Sequence, residues 1–379
     1  MLGLPSFVFI GLVVAQALLA VRSVQADNDS LYHNGPRVPF VDYPGMAAAS
    51  AQAIGEPLPY GQHVPECKAV KKRVEWRTLT YDQKKDYMRA IKCLQNKPDY
   101  GISPQYPTLY DAFVWVHTTN WTDYHLNAWF MPWHRWFVWI HSEAMEKVCD
   151  YSGPVPYWNY TADYQNFLES PIFSSDPNIG FGSHGNTAVN VSGLIGFKVD
   201  NGAFANMKVN IPVTHYLTRN FSAWKTLDPT GQYGVAFGET FSPAAVARAL
   251  SSNKFSDLEA AIEGFDNTLH LGIHNSPHFF SSGDWTGPFW TNNTQWFPQI
   301  AVAPNDPIFW IHHAYVDQVF WSWQQKPGKQ WLFNGNIPWD DPTDNSAKAT
   351  DRLPFFGLGP NPPINLTLKT ENWPMCYTY

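Results

Sequence analysis

The chain has 379 residues, of which 15% are charged, and a net charge of −7. With a pI near 6.0, this balance argues against a nucleic-acid partner. Eighteen Trp and 31 Pro, with no internal repeat and no low-complexity tract, exclude a repeat array or a disordered chain and point to a rigid, loop-rich enzyme.

Residues 7–20 are a continuous small and apolar run, and Val24-Gln25-Ala26 offers a small-residue cleavage site before the polar Asp27. Residues 1–26 therefore read as a secretory signal. The run is shorter than the roughly 20 residues of a membrane span, and no later stretch is long and apolar enough to cross a bilayer. The expectation is a secreted, extracellular protein without a membrane partner. Seven Asn-x-Ser/Thr sequons fit that compartment, at Asn28, Asn120, Asn159, Asn190, Asn220, Asn292 and Asn365. The cysteines Cys67, Cys93, Cys149 and Cys376 allow three pairings. The pairing expected is Cys67 with Cys376, stapling the C-terminus to the start of the fold, and Cys93 with Cys149.

Residues 27–66 are rich in Pro, Gly and Ala and are expected to form an extended, poorly ordered lead-in. Residues 67–379 then form one domain. Thr80-Tyr-Asp-Gln83 reads as a capping box opening a helix that runs to about Gln95. Tyr110, Phe113 and His117 fall at helical spacing on a helix that His117 closes. A longer helix follows Pro132, with His134, Val138, His141, Met145 and Val148 on one side, ending near Cys149. Pro132 suits its first turn, where a missing N–H needs no partner. Residues 150–250 read as mostly loop. Residues 255–274 read as one helix with Leu258, Ile262, Phe265, Leu269 and Ile273 as its apolar stripe, and the last helix spans about 307–324. The fold class expected is mainly α: a four-helix bundle with long loops and little β-structure.

The strongest chemical signal is the distribution of the 13 histidines. His117, His125 and His134 form one group, embedded in Trp and Phe. His270, His274 and His278 form a ladder at i, i+4 and i+8, which a helix places on neighbouring turns. His312 and His313 stand in tandem. A lone histidine on an apolar face is more often a hydrogen-bonded core residue than a ligand; this concentration reverses the balance. Imidazole suits zinc, copper, iron and nickel, but catalytic zinc usually brings a carboxylate, and neither His-Leu-Gly-Ile-His nor His-Asn-Ser-Pro-His contains Glu. Two sets of three neutral histidines suit a copper pair. Within the ladder, Pro277 makes His270 and His274 the cleaner helical pair.

His117, His125 and Phe130-Met-Pro-Trp-His-Arg135 resemble the first copper motif of the tyrosinase and catechol oxidase family. His274-Asn-Ser-Pro-His278 with Gly283-Asp284, then Asp306-Pro-Ile-Phe-Trp-Ile-His-His313 and Asp317, resemble the second. Residues 67–94 and Cys149 to Trp158 are similar to short secreted fungal members, and Tyr377-Thr-Tyr379 is similar to the tyrosine motif that ends the family's catalytic domain. The resemblance implies a binuclear type-3 site in which His117, His125 and His134 hold one copper ion, and His274, His278 and His313 the other. His312 is then a core residue, and the resemblance favours His278 over His270. It implies that Phe309 stacks on an incoming ring, and that Asn275, with a glutamate such as Glu263 or Glu259, acts on the phenol proton. Asp306 and Asp317 are expected to orient ligand histidines or to cap the last helix. Asp123 stands where some fungal members carry a cysteine joined to the next histidine, so no thioether is expected.

The activity implied is oxidation of small o-diphenols by dioxygen to o-quinones, with hydroxylation of monophenols as a further capacity; the family often carries a C-terminal domain that plugs the site, and the expectation here is that no proteolytic activation is needed. The alternatives are an o-aminophenol oxidase and a haemocyanin-like dioxygen carrier without turnover.

Overall fold

The computed structural model describes residues 38, 40–41, 45–58, 60–119, 121–191, 194–221, 237–264, 271–281, 283–285, 301–338, 340–341 and 343–379. Inside the expected lead-in the chain forms a helix, α1 (Met46–Ile54), closed by Gly55 at φ 76°. Its run of alanines favours helix, and Ala48 and Ala49 are small enough to bury against the body of the protein. The Ala53 carbonyl accepts the Asn365 side-chain amide at 2.9 Å. Composition alone therefore understated the order of this segment.

Two short strands, β1 (Lys71–Lys72) and β2 (Val74–Glu75), precede α2 (Tyr81–Leu94). α2 opens with the expected capping box, Thr80 and Gln83 each accepting from the other's backbone N–H. α3 (Leu109–Thr118) is capped by Thr108 and carries His117 in its last turn. α4 (Phe130–Cys149) has Pro132 in its first turn, as expected. Trp133, Trp136, Phe137, Trp139 and Ile140 are all buried. A helix apolar on all sides belongs at the centre of a core, and truncating one such Trp to Ala would cost about 3–5 kcal/mol. The disulfide Cys93–Cys149 links α2 to the end of α4, and Cys67–Cys376 ties the C-terminus to the start of the domain, both as expected.

After α4 come β3 (Pro156–Tyr157), the hairpin β4 (Thr187–Val191) and β5 (Leu194–Lys198), and the pair β6 (Lys208–Val209) and β7 (His215–Tyr216). α5 (Pro243–Leu250) lies within the stretch expected to be loop; Ser242 caps it and Pro243 occupies its first position. The helix expected over 255–274 is shorter. α6 (Phe255–Glu263) ends because Gly264 turns left-handed at φ 82°. The chain there passes so close to Gly272 that a Cβ on Gly264 would lie 1.8 Å from the Gly272 nitrogen. Leu258, Ile262 and Ile273 are buried as expected, whereas Phe265, Leu269 and His270 lie outside the described residues. α7 (Asn275–Ser281), α8 (Ile308–Gln324), α9 (Ile364–Thr367) and β8 (Tyr377–Thr378) complete the order. β1 pairs in parallel with β8, and β2 with β3. The fold is mainly helical, with α3, α4, α7 and α8 around the histidines. No described helix is long and apolar enough to cross a membrane.

A buried charge network locks this frame. Asp317 on α8 accepts from Arg135 on α4, from Arg73 at 3.1 Å, and from the hydroxyls of Tyr377 at 2.5 Å and Tyr379 at 2.6 Å. Burial alone would raise its carboxyl pKa; Arg135, Arg73 and the two hydroxyls outweigh that and hold it below the usual range. The expectation for Asp317 is thus corrected: it neither orients a histidine nor caps α8, but neutralises two buried arginines. Asp306 does serve the start of α8, accepting the Ile308 N–H at 3.0 Å.

Candidate metal centre

Each histidine of the first group is aimed by a backbone carbonyl. His117 Nδ1 bonds Ala301 O at 2.7 Å, His125 Nδ1 bonds Trp121 O at 2.7 Å, and His134 Nδ1 bonds Phe130 O at 2.9 Å, one turn back on α4. A carbonyl can only accept, so each Nδ1 carries the proton and each Nε2 presents a bare lone pair. The three ligand atoms lie within 4.8 Å of one another, with His117 Nε2 and His134 Nε2 3.3 Å apart.

The second group converges in the same way. His274 stands immediately before α7, His278 within it and His313 on α8. His274 Nε2 lies 3.1 Å from His278 Nε2 and 3.3 Å from His313 Nε2. His278 Nδ1 bonds Trp285 O at 2.7 Å. Pro277 is no obstacle, because it falls in the first turn of a new helix, where its missing N–H has no intrahelical partner. His312 also lies within the 4.8 Å group, but its ring stands edge-on to His278 at 4.6 Å and stacks on Tyr160 at 5.2 Å. His270 lies outside the described residues.

Nitrogen lone pairs facing one another at this separation repel unless a cation lies between them. Ligand nitrogens at about 2.0–2.1 Å around one tetrahedral ion sit about 3.3 Å apart, close to the 3.3 Å of His117 with His134 and the 3.1 and 3.3 Å of His274 with His278 and His313. Both triads therefore fit a metal ion, and neither includes a carboxylate. They share one chamber: Phe130 lies 4.6 Å from both His134 and His274.

Burial decides the protonation state. It pushes His125 down to about 4 and His278 down to about 3. Burial, reinforced by neighbouring imidazoles, pushes His117, His134, His274 and His313 well below their ordinary value. All six are neutral, and thus able to ligate, at any physiological pH.

Phe309 is fully buried, 4.2 Å from the His313 ring and 5.1 Å from His117, and packs on Phe137 and Trp310. Asn275 donates its amide to the Glu263 backbone carbonyl. The Glu263 carboxylate accepts the Leu126 N–H at 2.6 Å. Glu263 thus joins the residue after His125 to the residue after His274. Neither Glu263 nor Glu259 is a solvated face: both are buried one turn apart on α6. Burial and then the neighbouring Glu259 push Glu263 well up, and burial raises Glu259 to about 7. Sequence reasoning missed the carbonyls of Ala301 and Trp285, because a backbone acceptor leaves no residue-type signal.

Residues 107–326 match the family model described as the common central domain of tyrosinase. The chain is 30% identical over 323 residues to the tyrosinase-like protein phomQ2 of Diaporthe leptostromiformis, covering 84% of this chain and 75% of that protein. It is 30% identical over 324 residues to the tyrosinase ustQ of Aspergillus flavus, covering 83% and 81% respectively. Its fold is similar to that of a variant of polyphenol oxidase from Thermothelomyces thermophila, with a TM-score of 0.67 at 25% identity over 83% of this chain and 90% of that one. With two histidine triads in one buried chamber and this extent of similarity, the chain belongs to the tyrosinase family.

Proposed function

We propose that the protein is a secreted copper oxidase that converts o-diphenols to o-quinones with dioxygen and hydroxylates monophenols ahead of that step. The observation that supports this most directly is the pair of triads whose Nε2 atoms converge without a carboxylate. In this reading His117, His125 and His134 hold one copper ion, and His274, His278 and His313 hold the other. Imidazole-only sites suit a metal that cycles between Cu(I) and Cu(II). Bound there, two copper ions supply the electron exchange between phenol and dioxygen. Two o-diphenols give up four electrons and four protons, and one dioxygen becomes two waters.

The chain's own residues do the rest. Phe130 and Phe309 wall the chamber with apolar surface, excluding water and leaving aromatic faces beside the triads. Glu263 takes the phenol proton: its carboxylate is held at the residue after His125, and burial and then the neighbouring Glu259 raise its affinity for a proton. Asn275, next to His274, donates to the Glu263 backbone carbonyl and so ties the start of α7 to the end of α6. Export is supported by the apolar run in residues 7–20 and by two disulfides, which persist in oxidising compartments.

Copper content measured together with oxygen uptake, on a monophenol and its o-diphenol side by side, tests the reading. Two coppers with uptake on both substrates is the result expected. Uptake on the diphenol alone reduces it to a catechol oxidase. Two coppers without uptake on either would make the protein a dioxygen carrier, and zinc in place of copper would overturn the metal assignment.

A further inference from the structure

Outside the four helices around the histidines lies a buried ion pair, His215 with Asp284, that the chemistry above does not use. Asp284 is 0% exposed, and both carboxylate oxygens are occupied. Oδ1 accepts from His215 Nε2 at 2.8 Å and from the Asn305 amide at 3.2 Å; Oδ2 accepts the Thr218 N–H at 2.8 Å and its hydroxyl at 2.9 Å. His215 Nδ1 meets the Val213 carbonyl at 2.6 Å. An imidazole with an acceptor on each nitrogen must donate from both, so His215 is an imidazolium. Burial works against that charge, and Asp284 outweighs it and raises the pKa.

The position of this pair is what matters. Asp284 sits in the single turn Gly283–Trp285, and the next carbonyl, that of Trp285, aims His278. The turn is fastened to the segment after β7 by backbone as well: the Asp284 N–H donates to Thr218 O at 3.1 Å and the Asn220 N–H to Ser281 O at 2.9 Å. Approach is so close that a Cβ on Gly283, at φ 65°, would lie 2.2 Å from Thr218 O. α7 has only seven residues, too few to hold a fixed direction by its own hydrogen bonds.

The two triads differ here. Every histidine of the first has a carbonyl for its Nδ1, four residues away for His134 and His125 and on the distant Ala301 for His117. His274 and His313 have no acceptor for Nδ1 among the described residues, so the orientation of the second triad leans on His278, and His278 leans on the turn.

We propose that His215 and Asp284 form a clasp that positions His278 and so sets the copper affinity of the second triad, leaving the first untouched. They are positioning residues: neither touches substrate or metal. The inference rests on the copper reading given above. Partners that orient metal-ligating histidines typically change metal affinity about 10–100-fold.

The test is a Cu(I) competition titration of the full chain, with copper stoichiometry and melting temperature measured on the same samples. Wild-type protein that binds no copper overturns the copper reading itself, independently of the clasp. With two coppers in the wild type, Asp284→Ala and His215→Leu are expected to weaken one equivalent about 10-fold or more and to leave the other at wild-type affinity. His215→Gln, whose amide can still donate to Asp284, should recover most of the loss. If Asp284→Ala fails to fold, Asp284→Asn carries the comparison, since it keeps the shape and loses the charge. Folded variants that bind both coppers with wild-type affinity, whatever their melting temperature, overturn the clasp; so does equal weakening of both equivalents.

Discussion

The imidazoles of His134 and His313 stack face to face, with centroids 4.3 Å apart and planes 11° from parallel. One stands on α4 and the other on α8, so the two triads meet through this pair and the spacing of the two helices sets the spacing of the two sites. Replacing either ring by Ala should lower bound copper from two ions to one and reduce oxidation more than about 100-fold. His312→Gln and His270→Ala should each retain two coppers. Metal analysis of the purified variants decides it; loss of a copper in His270→Ala would restore the alternative ligand register.

Metal-free protein should be sensitive to acid. The buried imidazoles of both triads have folded-state pKa values below the ordinary value of about 6.5, down to about 4 for His125 and about 3 for His278. The unfolded chain therefore binds protons first as pH falls, and stability present above about 6.5 is lost progressively below it. Melting curves from pH 8 to 4 should fall for the copper-free protein and stay flatter for the loaded one. A pH-independent melting temperature without copper would contradict the burial of neutral rings.

His215 carries the opposite sign. Its pKa is raised in the folded state, so its contribution is complete below about 6.5 and is lost as pH rises through the folded value. The stability difference between wild type and His215→Gln should be largest near pH 6 and shrink toward pH 9. A gap that widens with pH would exclude an imidazolium at this position.

Asp317 holds two buried arginines. Asp317→Ala leaves both uncompensated and should destabilise by about 3–5 kcal/mol, against about 1–2 kcal/mol for Tyr377→Phe, which removes one hydrogen bond. Chemical denaturation measures both; equal costs would mean the arginines find other partners.

Glu263→Gln keeps the acceptor for the Leu126 N–H and abolishes the base. Oxidation of a monophenol should fall at least about 100-fold, the usual worth of a general base, with o-diphenol oxidation reduced less. Parallel loss on both substrates would assign Glu263 to holding the His125 loop rather than to proton transfer.

Much of this was legible in the sequence wherever local chemistry is decisive. The Thr80 and Gln83 box, Pro132 in the first turn of α4 and the end of α4 near Cys149 follow from hydrogen bonds made within a few residues. The histidine clusters were visible for the same reason, since ligand side chains announce themselves by type. Where the reading over 255–274 erred, an apolar stripe continued in phase across a left-handed glycine. Periodicity could not register that break, because Ile273 is buried in its own right after the chain has turned.

The sequence by itself determined the residue types that can hold metal, the cysteines available for stapling and the absence of a glutamate between the histidines of the 270–278 ladder. Only the tertiary structure decided which atoms meet. Asp317 lies 244 and 182 residues along the chain from Arg73 and Arg135, and His215 lies 69 from Asp284, so no spacing rule links them. The carbonyls of Ala301 and Trp285, which aim His117 and His278, belong to every residue alike. Their selection depends on where the backbone passes after folding, and that is a property of packing rather than of composition.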